Sequence, residues 1–157
     1  MAVPPQSTPG GSGVSSVARG VVLASRRRTP GAITVRVDHF VLTVSDVDAA
    51  CAFYDRIDGV EPITFGSGRR ALRVGEQKIN LREPDPSFDL VARNATVGSG
   101  DFCVVTETPL SAVAASLEEA GVDIVEGPVD RPGAGVPIVS IYFRDPDGNL
   151  VEIANER

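Results

Sequence analysis

The order of apolar and polar positions along the chain predicts one structural unit that occurs twice. An apolar, strand-like run starts at His39, and a similar run starts 62 residues later at Asp101. Each run is followed by apolar residues at helical spacing and then by three short strand-like segments. The predicted strands lie near 39–44, 61–65, 71–74 and 78–81 in the first copy, and near 101–105, 123–125 or 123–129, 139–143 and 150–153 in the second. The sequence therefore predicts an α+β fold built from two βαβββ modules.

Residues that begin and end helices occur at matching places in both copies. Ser45 in the first copy, and Thr108 followed by proline in the second, are the predicted helix N-caps. Gly59 and Gly121 follow the helices, where a left-handed backbone is needed. A turn at 145–149, with the sequence Asp-Pro-Asp-Gly-Asn, is predicted to join the last two strands.

The start of the chain differs in composition from the rest. Residues 1–33 are rich in proline, glycine and serine and contain too few apolar residues to form a core. We therefore expect a disordered N-terminal extension over 1–33 and one domain over 34–157. The two modules of that domain are assigned to 35–82 and 100–155, with a linker from about 83 to 99.

Charge and composition exclude several classes of function. The formal net charge of −6 combines five arginines and no acids in 1–37 with a net charge of −11 over 38–157. A domain this acidic is expected to repel nucleic acid and anionic membranes. The presence of only two cysteines favours a reducing, cytoplasmic location, although an Arg- and Ser-rich extension also suits organelle targeting. The single histidine excludes any site that needs two histidines from one chain.

Strand alternation predicts that polar side chains converge at equivalent positions of the two modules. The larger apolar side chains of each strand are expected to pack under the helix, which leaves the alternate side chains facing a cavity. The four converging residues are His39, Asn80, Asp101 and Glu152, and Lys78, Arg82 and Cys103 share their faces. Imidazole and carboxylate groups are ordinary ligands of Zn²⁺, Ni²⁺, Mn²⁺ or Fe²⁺. The structural alternatives are a hydrogen-bonded His39, a turn residue at Asp101, a polar Asn80 on a wet sheet, and an ion pair between Glu152 and Arg82.

These motifs resemble the vicinal oxygen chelate superfamily, which is also called the glyoxalase/bleomycin resistance/dioxygenase superfamily. The resemblance covers about residues 35–155 and rests on the run 38–44, on Phe53-Tyr54, and on the final turn and strand at 145–153. Within the superfamily, 77–81 and 126–129 resemble a loosely described lactoylglutathione lyase-like or virulence-associated group. The resemblance implies that the modules curl into an open, U-shaped mixed sheet around a cavity, and it implies a homodimer.

The resemblance also implies a set of metal ligands. It maps the first ligand of the superfamily to His39, the last to Glu152, and the other two to Asn80 and Asp101. The chain departs from the family pattern because Asp101 stands where glyoxalase I usually has a histidine. Extradiol dioxygenases and fosfomycin-type transferases use two histidines and are disfavoured for that reason.

Three functions remain open on this basis. The first is a metal-dependent lyase or isomerase that acts on a small oxygen-chelating substrate such as a glutathione hemithioacetal, with Glu152 and Asp101 as catalytic residues. In that function Lys78 and Arg82 would hold an anionic tail, and Cys103 would also contact the substrate. The second is a binding protein that holds a small ligand without any metal ion, as bleomycin resistance proteins do. The third is a divergent member of the superfamily that has no catalytic activity.

Overall fold

The structure of the chain is a computed structural model that describes residues 35–85, 87 and 90–157. The predicted disordered extension at 1–33 lies outside the described residues. Within the described ranges, no helix is both long enough and apolar enough to cross a membrane.

The first module has one helix and a four-stranded mixed sheet. In chain order its elements are β1 (His39–Thr43), α1 (Val47–Tyr54), β2 (Val60–Phe65), β3 (Arg69–Val74) and β4 (Gln77–Arg82). The strand order in the sheet is β1-β4-β3-β2, with β1 parallel to β4 and the other neighbours antiparallel. The parallel pair is possible because α1, β2 and β3 form the crossover between its two strands.

The second module repeats this arrangement. Its elements are β5 (Asp101–Val105), α2 (Leu110–Glu119), β6 (Ile124–Pro132), β7 (Pro137–Arg144) and β8 (Leu150–Glu156), with the strand order β5-β8-β7-β6. The prediction of an α+β fold with two βαβββ modules is confirmed. The register also matches, because Val41 pairs with Asn80 in the first sheet as Cys103 pairs with Glu152 in the second.

The start of α1 differs from the prediction. The N-cap is Asp46 rather than Ser45, and the Asp46 carboxylate accepts a hydrogen bond of 2.8 Å from the backbone N–H of Ala49. Ser45 donates its own backbone N–H to the carboxylate of Asp147 in the second module, at 3.1 Å. The contact between modules thus decides the role of Ser45, and local sequence does not carry that information.

The predicted cap of α2 is also wrong. The helix begins at Leu110 after Pro109, without a side-chain cap from its own N-terminus. Asn155 at the end of β8 replaces Thr108 in that role, because its side-chain oxygen accepts the N–H of Leu110 at 3.1 Å. Gly121 directly follows Ala120, the C-cap of α2, as predicted. The α1 helix ends earlier than predicted, with Asp55 as its C-cap, so Gly59 lies in the turn that leads to β2. Both glycines have positive φ angles, of 70° and 86°.

One hydrophobic core joins the two modules. It lies between the helix-bearing faces of both sheets, where the rings of Phe53 and Phe143 have centroids 6.2 Å apart. Tyr54, Leu72 and Phe143 are fully buried there. The opposite face of each sheet, which we call its open face, points away from this core. The open faces of the two sheets therefore lie outside the core that the modules share.

A polar clasp formed by Tyr54, Asp145, Asp147 and Asn149 holds the modules together beside the core. The buried Asp145 carboxylate accepts the hydroxyl of Tyr54 from α1 at 2.9 Å and the side-chain amide of Asn149 at 2.7 Å. It also accepts the backbone N–H groups of Asp147 and Asn149. Burial, with Asp145 beside it, raises the pKa of the Tyr54 hydroxyl, so this group stays a hydrogen-bond donor. The motif at 145–149 is thus both a turn and a contact between modules.

Candidate functional site

The open face of the first sheet carries His39 and Asn80. His39 is the first residue of the edge strand β1, and its Nδ1 lies 2.8 Å from the carboxylate of Asp38. This contact lowers the pKa of Asp38, chiefly through the hydrogen bond with His39. A carboxylate on one ring nitrogen favours the tautomer in which the other nitrogen can act as a ligand.

Asn80 lies in the middle of β4 on the same face. Its side-chain oxygen is buried and has no hydrogen-bond partner. A buried polar atom without a partner costs about 1–3 kcal/mol. The amide oxygen is therefore suited to accept a donor or a cation that comes from outside the first module.

Lys78 and neighbouring arginines give this face a cationic character. The ammonium of Lys78 lies 3.5 Å from the ring centroid of Phe65, and the guanidinium of Arg69 lies 4.7 Å from the same centroid. Arg82 follows Asn80 at the next position on the same face of β4. The predicted anion-binding residues Lys78 and Arg82 thus do share a face with Asn80.

The open face of the second sheet contains a cavity of about 430 Å³. Glu152 from β8 and Cys103 from β5 line the cavity from neighbouring strands, and Tyr142 from β7 lies on the other side of Glu152. One carboxylate oxygen of Glu152 is buried without a hydrogen-bond partner. As with Asn80, this orphaned oxygen can accept a cation or a donor that the chain itself does not supply.

Burial and the charge of Glu152 together set the ionisation of the groups beside it. Burial and the negative charge of Glu152 raise the pKa of Cys103 to about 12, so the thiol is protonated at neutral pH. Burial and Glu152 also raise the pKa of the Tyr142 hydroxyl. The cavity therefore holds one carboxylate between two groups that keep their protons.

Tyr142 and Arg131 belong to this cavity, and the sequence prediction missed them. The Nε of Arg131 donates to the Tyr142 hydroxyl at 3.0 Å, and another nitrogen of Arg131 lies 2.7 Å from Glu126. The alternation rule applied to β7 places Tyr142 on the face of Glu152, so this signal was available. No sequence signal identified Arg131, because β6 contains irregular register shifts before it.

Asp101 lies apart from Glu152. It is exposed at the start of β5, pairs with Leu150, and lines a different cavity of about 700 Å³ together with Arg82 and Thr43. The rest of that cavity's wall is formed by neighbouring residues of β1, by residues at the start of β5 and by linker residues between 90 and 99. Asp101 and Cys103 therefore share a strand face but open into separate spaces.

Within one chain, the predicted ligands form two separate groups. His39 and Asn80 lie on the open face of the first sheet, and Glu152 lies on the open face of the second, in a cavity that neither His39 nor Asn80 lines. Among the described residues, no cluster of three or more His, Cys, Asp or Glu side chains is placed to hold a metal ion. The assignment of these residues as ligands stays a prediction, and it requires something beyond a single chain.

Comparison with known proteins gives a family match over most of the chain. Residues 36–153 match the family described as the Glyoxalase/Bleomycin resistance protein/Dioxygenase superfamily. The chain is 49% identical over 119 residues to virulence protein STM3117 of Salmonella typhimurium, which covers 76% of this chain and 83% of the relative. The crystal structure of STM3117 superposes with a TM-score of 0.75 over 80% of this chain and 100% of that chain, at 47% identity.

Two further relatives come from a fungus and a bacterium. The chain is 42% identical over 131 residues to glyoxalase domain-containing protein RDO1 of Mycosarcoma maydis, which covers 83% of this chain and 74% of the relative. It is 31% identical over 121 residues to metallothiol transferase FosB of Shouchella clausii, which covers 74% of this chain and 77% of the relative. These likenesses extend over both modules, so they concern the whole described fold and not one half of it.

Proposed function

Because the chain belongs to the glyoxalase/bleomycin resistance protein/dioxygenase superfamily, we propose that it binds a small oxygen-chelating molecule and acts on it as a metal-dependent lyase or isomerase. The observation that carries this proposal is the orphaned carboxylate oxygen of Glu152 in the cavity of the second module. A buried anionic oxygen without a donor is suited to a divalent cation. A glutathione hemithioacetal is the substrate class that we test first.

The site is completed by a second copy of the chain. If two copies pair around a two-fold axis, the first open face of each copy covers the second open face of the other. This arrangement forms two identical cavities, and each cavity receives His39 and Asn80 from one copy and Glu152 from the other. The orphaned oxygens of Asn80 and Glu152 then face the same space.

The charges of the two open faces support this pairing. The first face carries cationic Arg69, Arg73, Lys78 and Arg82 against acidic Glu61. The second face carries acidic Asp101, Glu126, Glu152 and Glu156 against cationic Arg131 and Arg144. Opposite net charges favour contact between unlike faces and disfavour contact between like faces.

Exposed apolar side chains on both open faces support it as well. Val41 is 44% exposed on the first face, and Val105 is 54% exposed on the second. Val41 lies in the middle of the edge strand β1, and Val105 lies at the end of the edge strand β5. Both are close in sequence to predicted ligands. Contact between two copies would remove these side chains from water, which stabilises the association by roughly 25 cal/mol for each Å² buried.

The donors present fit a divalent cation chemically. His39, Asn80 and Glu152 would hold it, and imidazole, amide and carboxylate groups suit Zn²⁺, Ni²⁺, Mn²⁺ or Fe²⁺. Such an ion would polarise the substrate oxygens and so make an adjacent C–H bond more acidic. Glu152 would then move the proton between carbon atoms, because it is the carboxylate nearest to that space. Lys78 and Arg82 would bind an anionic end of the substrate.

Elemental analysis of the purified protein beside the Glu152→Gln variant tests the proposal. We expect bound divalent metal in the wild type, little in the variant, and turnover of the methylglyoxal–glutathione hemithioacetal by the wild type only. Glu156→Gln is the matched control, since it removes a carboxylate from the same cavity and should keep both metal and turnover. Equal metal in wild type and Glu152→Gln would contradict the role of Glu152.

A metal-free binding protein is the second candidate, and the wall of the second-module cavity favours it. Val105, Val136 and Ile138 line that cavity together with Tyr142, which is the mixture of apolar wall and few polar groups that organic ligands prefer. Thermal-shift screening after treatment with a chelator separates the two candidates. Stabilisation by organic ligands without metal supports this function, and stabilisation by divalent ions alone contradicts it.

A further inference from the structure

The register between β5 and β8 determines which side chain stands next to Glu152. Cys103 is paired directly with Glu152, whereas Asp101 is paired with Leu150, two residues earlier along both strands. Neighbouring strands are about 4.8 Å apart, and a displacement of two residues along a strand adds about 6.6 Å. The short side chain of Asp101 therefore starts much farther from the Glu152 carboxylate than the thiol of Cys103 does.

The cavities agree with the register. Cys103 and Glu152 line the same space of about 430 Å³, and Asp101 lines the other cavity beside the linker. The Cys103 thiol donates a weak hydrogen bond to the carbonyl of Val104 at 3.8 Å and also interacts with the Glu152 carboxylate, so the sulfur lies beside that carboxylate and its lone pairs can act as ligands. The orphaned Glu152 oxygen and this sulfur thus form a two-donor set on one side of one cavity.

We propose that Cys103, and not Asp101, is the second metal ligand that the second module supplies beside Glu152. This inference rests on the proposed metal-dependent function. Thiolate, carboxylate and the imidazole of His39 from a second copy form a donor set that selects Zn²⁺ over harder cations. On binding, the bond between sulfur and metal forms as the S–H bond breaks, and the proton leaves to solvent.

Cobalt substitution tests the assignment with a readout that does not depend on activity. Co²⁺ takes the same ligands as Zn²⁺, and a thiolate bound to Co²⁺ gives a charge-transfer absorption in the near ultraviolet. The chain has two cysteines, and the other one, Cys51, is buried on α1 in the core. In the Cys51→Ala variant a thiolate band with Co²⁺ can come only from Cys103, whether or not a Cys103 variant folds.

We expect the thiolate band in wild type, in Cys51→Ala and in Asp101→Asn, and its loss in Cys103→Ser. Co²⁺ bound by Cys51→Ala without a thiolate band overturns this inference and leaves the metal-dependent function standing. Loss of Co²⁺ binding in Asp101→Asn but not in Cys103→Ser also overturns it. No Co²⁺ binding to any of these proteins, measured by equilibrium dialysis, overturns both proposals together.

Discussion

In the first module Val41 of β1 is paired with Asn80 of β4, and the equivalent pair in the second module is Cys103 of β5 and Glu152 of β8. We call each such pair of residues on neighbouring strands a rung. The backbone geometry is the same in both places. The side chains differ in chemistry, because an aliphatic group beside a neutral amide corresponds to a thiol beside a carboxylate. Hydrogen bonds and the shared core constrain the backbone and the buried faces, whereas the open faces can differ. The repeat therefore preserves the fold of each half and divides the candidate chemistry between them.

The hairpins between the last two strands of each module show a second difference. In the first module Val74 pairs with Gln77, so the loop is the exposed pair Gly75-Glu76. In the second module the equivalent loop is the turn at 145–149, which contains the buried Asp145 of the polar clasp. Only the second hairpin binds the other module. The two equivalent loops should thus differ greatly in their contribution to stability.

The largest expected effect is that of Asp145→Ala. The substitution removes the acceptor of four hydrogen bonds and leaves the buried Tyr54 hydroxyl without a partner. We expect the free energy of unfolding to fall by about 3–5 kcal/mol. Urea denaturation followed by circular dichroism measures it, and Tyr54→Phe should show a smaller loss of about 1 kcal/mol.

Glu76→Ala is the matched control, because it changes an acidic residue in the equivalent hairpin of the first module. Glu76 is exposed, so its loss should change the free energy of unfolding by less than about 0.5 kcal/mol. Similar losses for Asp145→Ala and Glu76→Ala would show that the two hairpins are equivalent and that the clasp does not join the modules.

A smaller effect is expected when the charge of one open face is reversed. Arg73→Glu makes the first face less cationic, and Glu156→Lys makes the second less acidic, so each change alone should weaken self-association. We expect the dimer dissociation constant to rise by about tenfold at low salt, which corresponds to about 1.4 kcal/mol. Sedimentation equilibrium measures the constant, and the double variant should regain part of the affinity.

Salt and a distant charge provide the controls for this experiment. The effect should shrink as salt rises, because charges are screened over about 8 Å at physiological ionic strength. Glu118→Lys makes the same charge change as Glu156→Lys on the exposed side of α2, away from both open faces, and should leave the dissociation constant unchanged. A monomer at all concentrations in the wild type contradicts the paired site itself.

The sequence correctly predicted the features that follow from local hydrophobic periodicity and from the internal repeat. It gave the order of elements, the αL glycines Gly59 and Gly121, and the strand faces that carry Asn80 and Glu152. The prediction failed where a residue distant in sequence determines the local structure. The N-terminus of α2, for example, is capped by the side chain of Asn155. Alternation fixes which face a side chain is on, but it cannot tell which way the faces of two modules point. That orientation follows from how the helices pack, and it separates His39 from Glu152.

The smallest effect, and the most local test of the difference between the two rungs, concerns the reactivity of Cys103. Its pKa of about 12 arises from burial first and from the Glu152 charge second, and only the thiolate reacts with iodoacetamide. In a Cys51→Ala background, the alkylation rate should keep rising with pH through the range in which an ordinary thiol reaches its plateau. Glu152→Gln should lower the pKa of Cys103 and so speed the reaction at a given pH, without restoring an ordinary thiol, because burial remains. Glu156→Gln removes a charge from the same cavity that does not contribute to this shift, so its profile should match the parent. The contrary result is an alkylation rate in the parent that reaches its plateau at the pH of an ordinary thiol and does not change in Glu152→Gln. It would mean that the carboxylate does not act on the thiol. The rung of Cys103 and Glu152 would then have no chemistry that the rung of Val41 and Asn80 lacks.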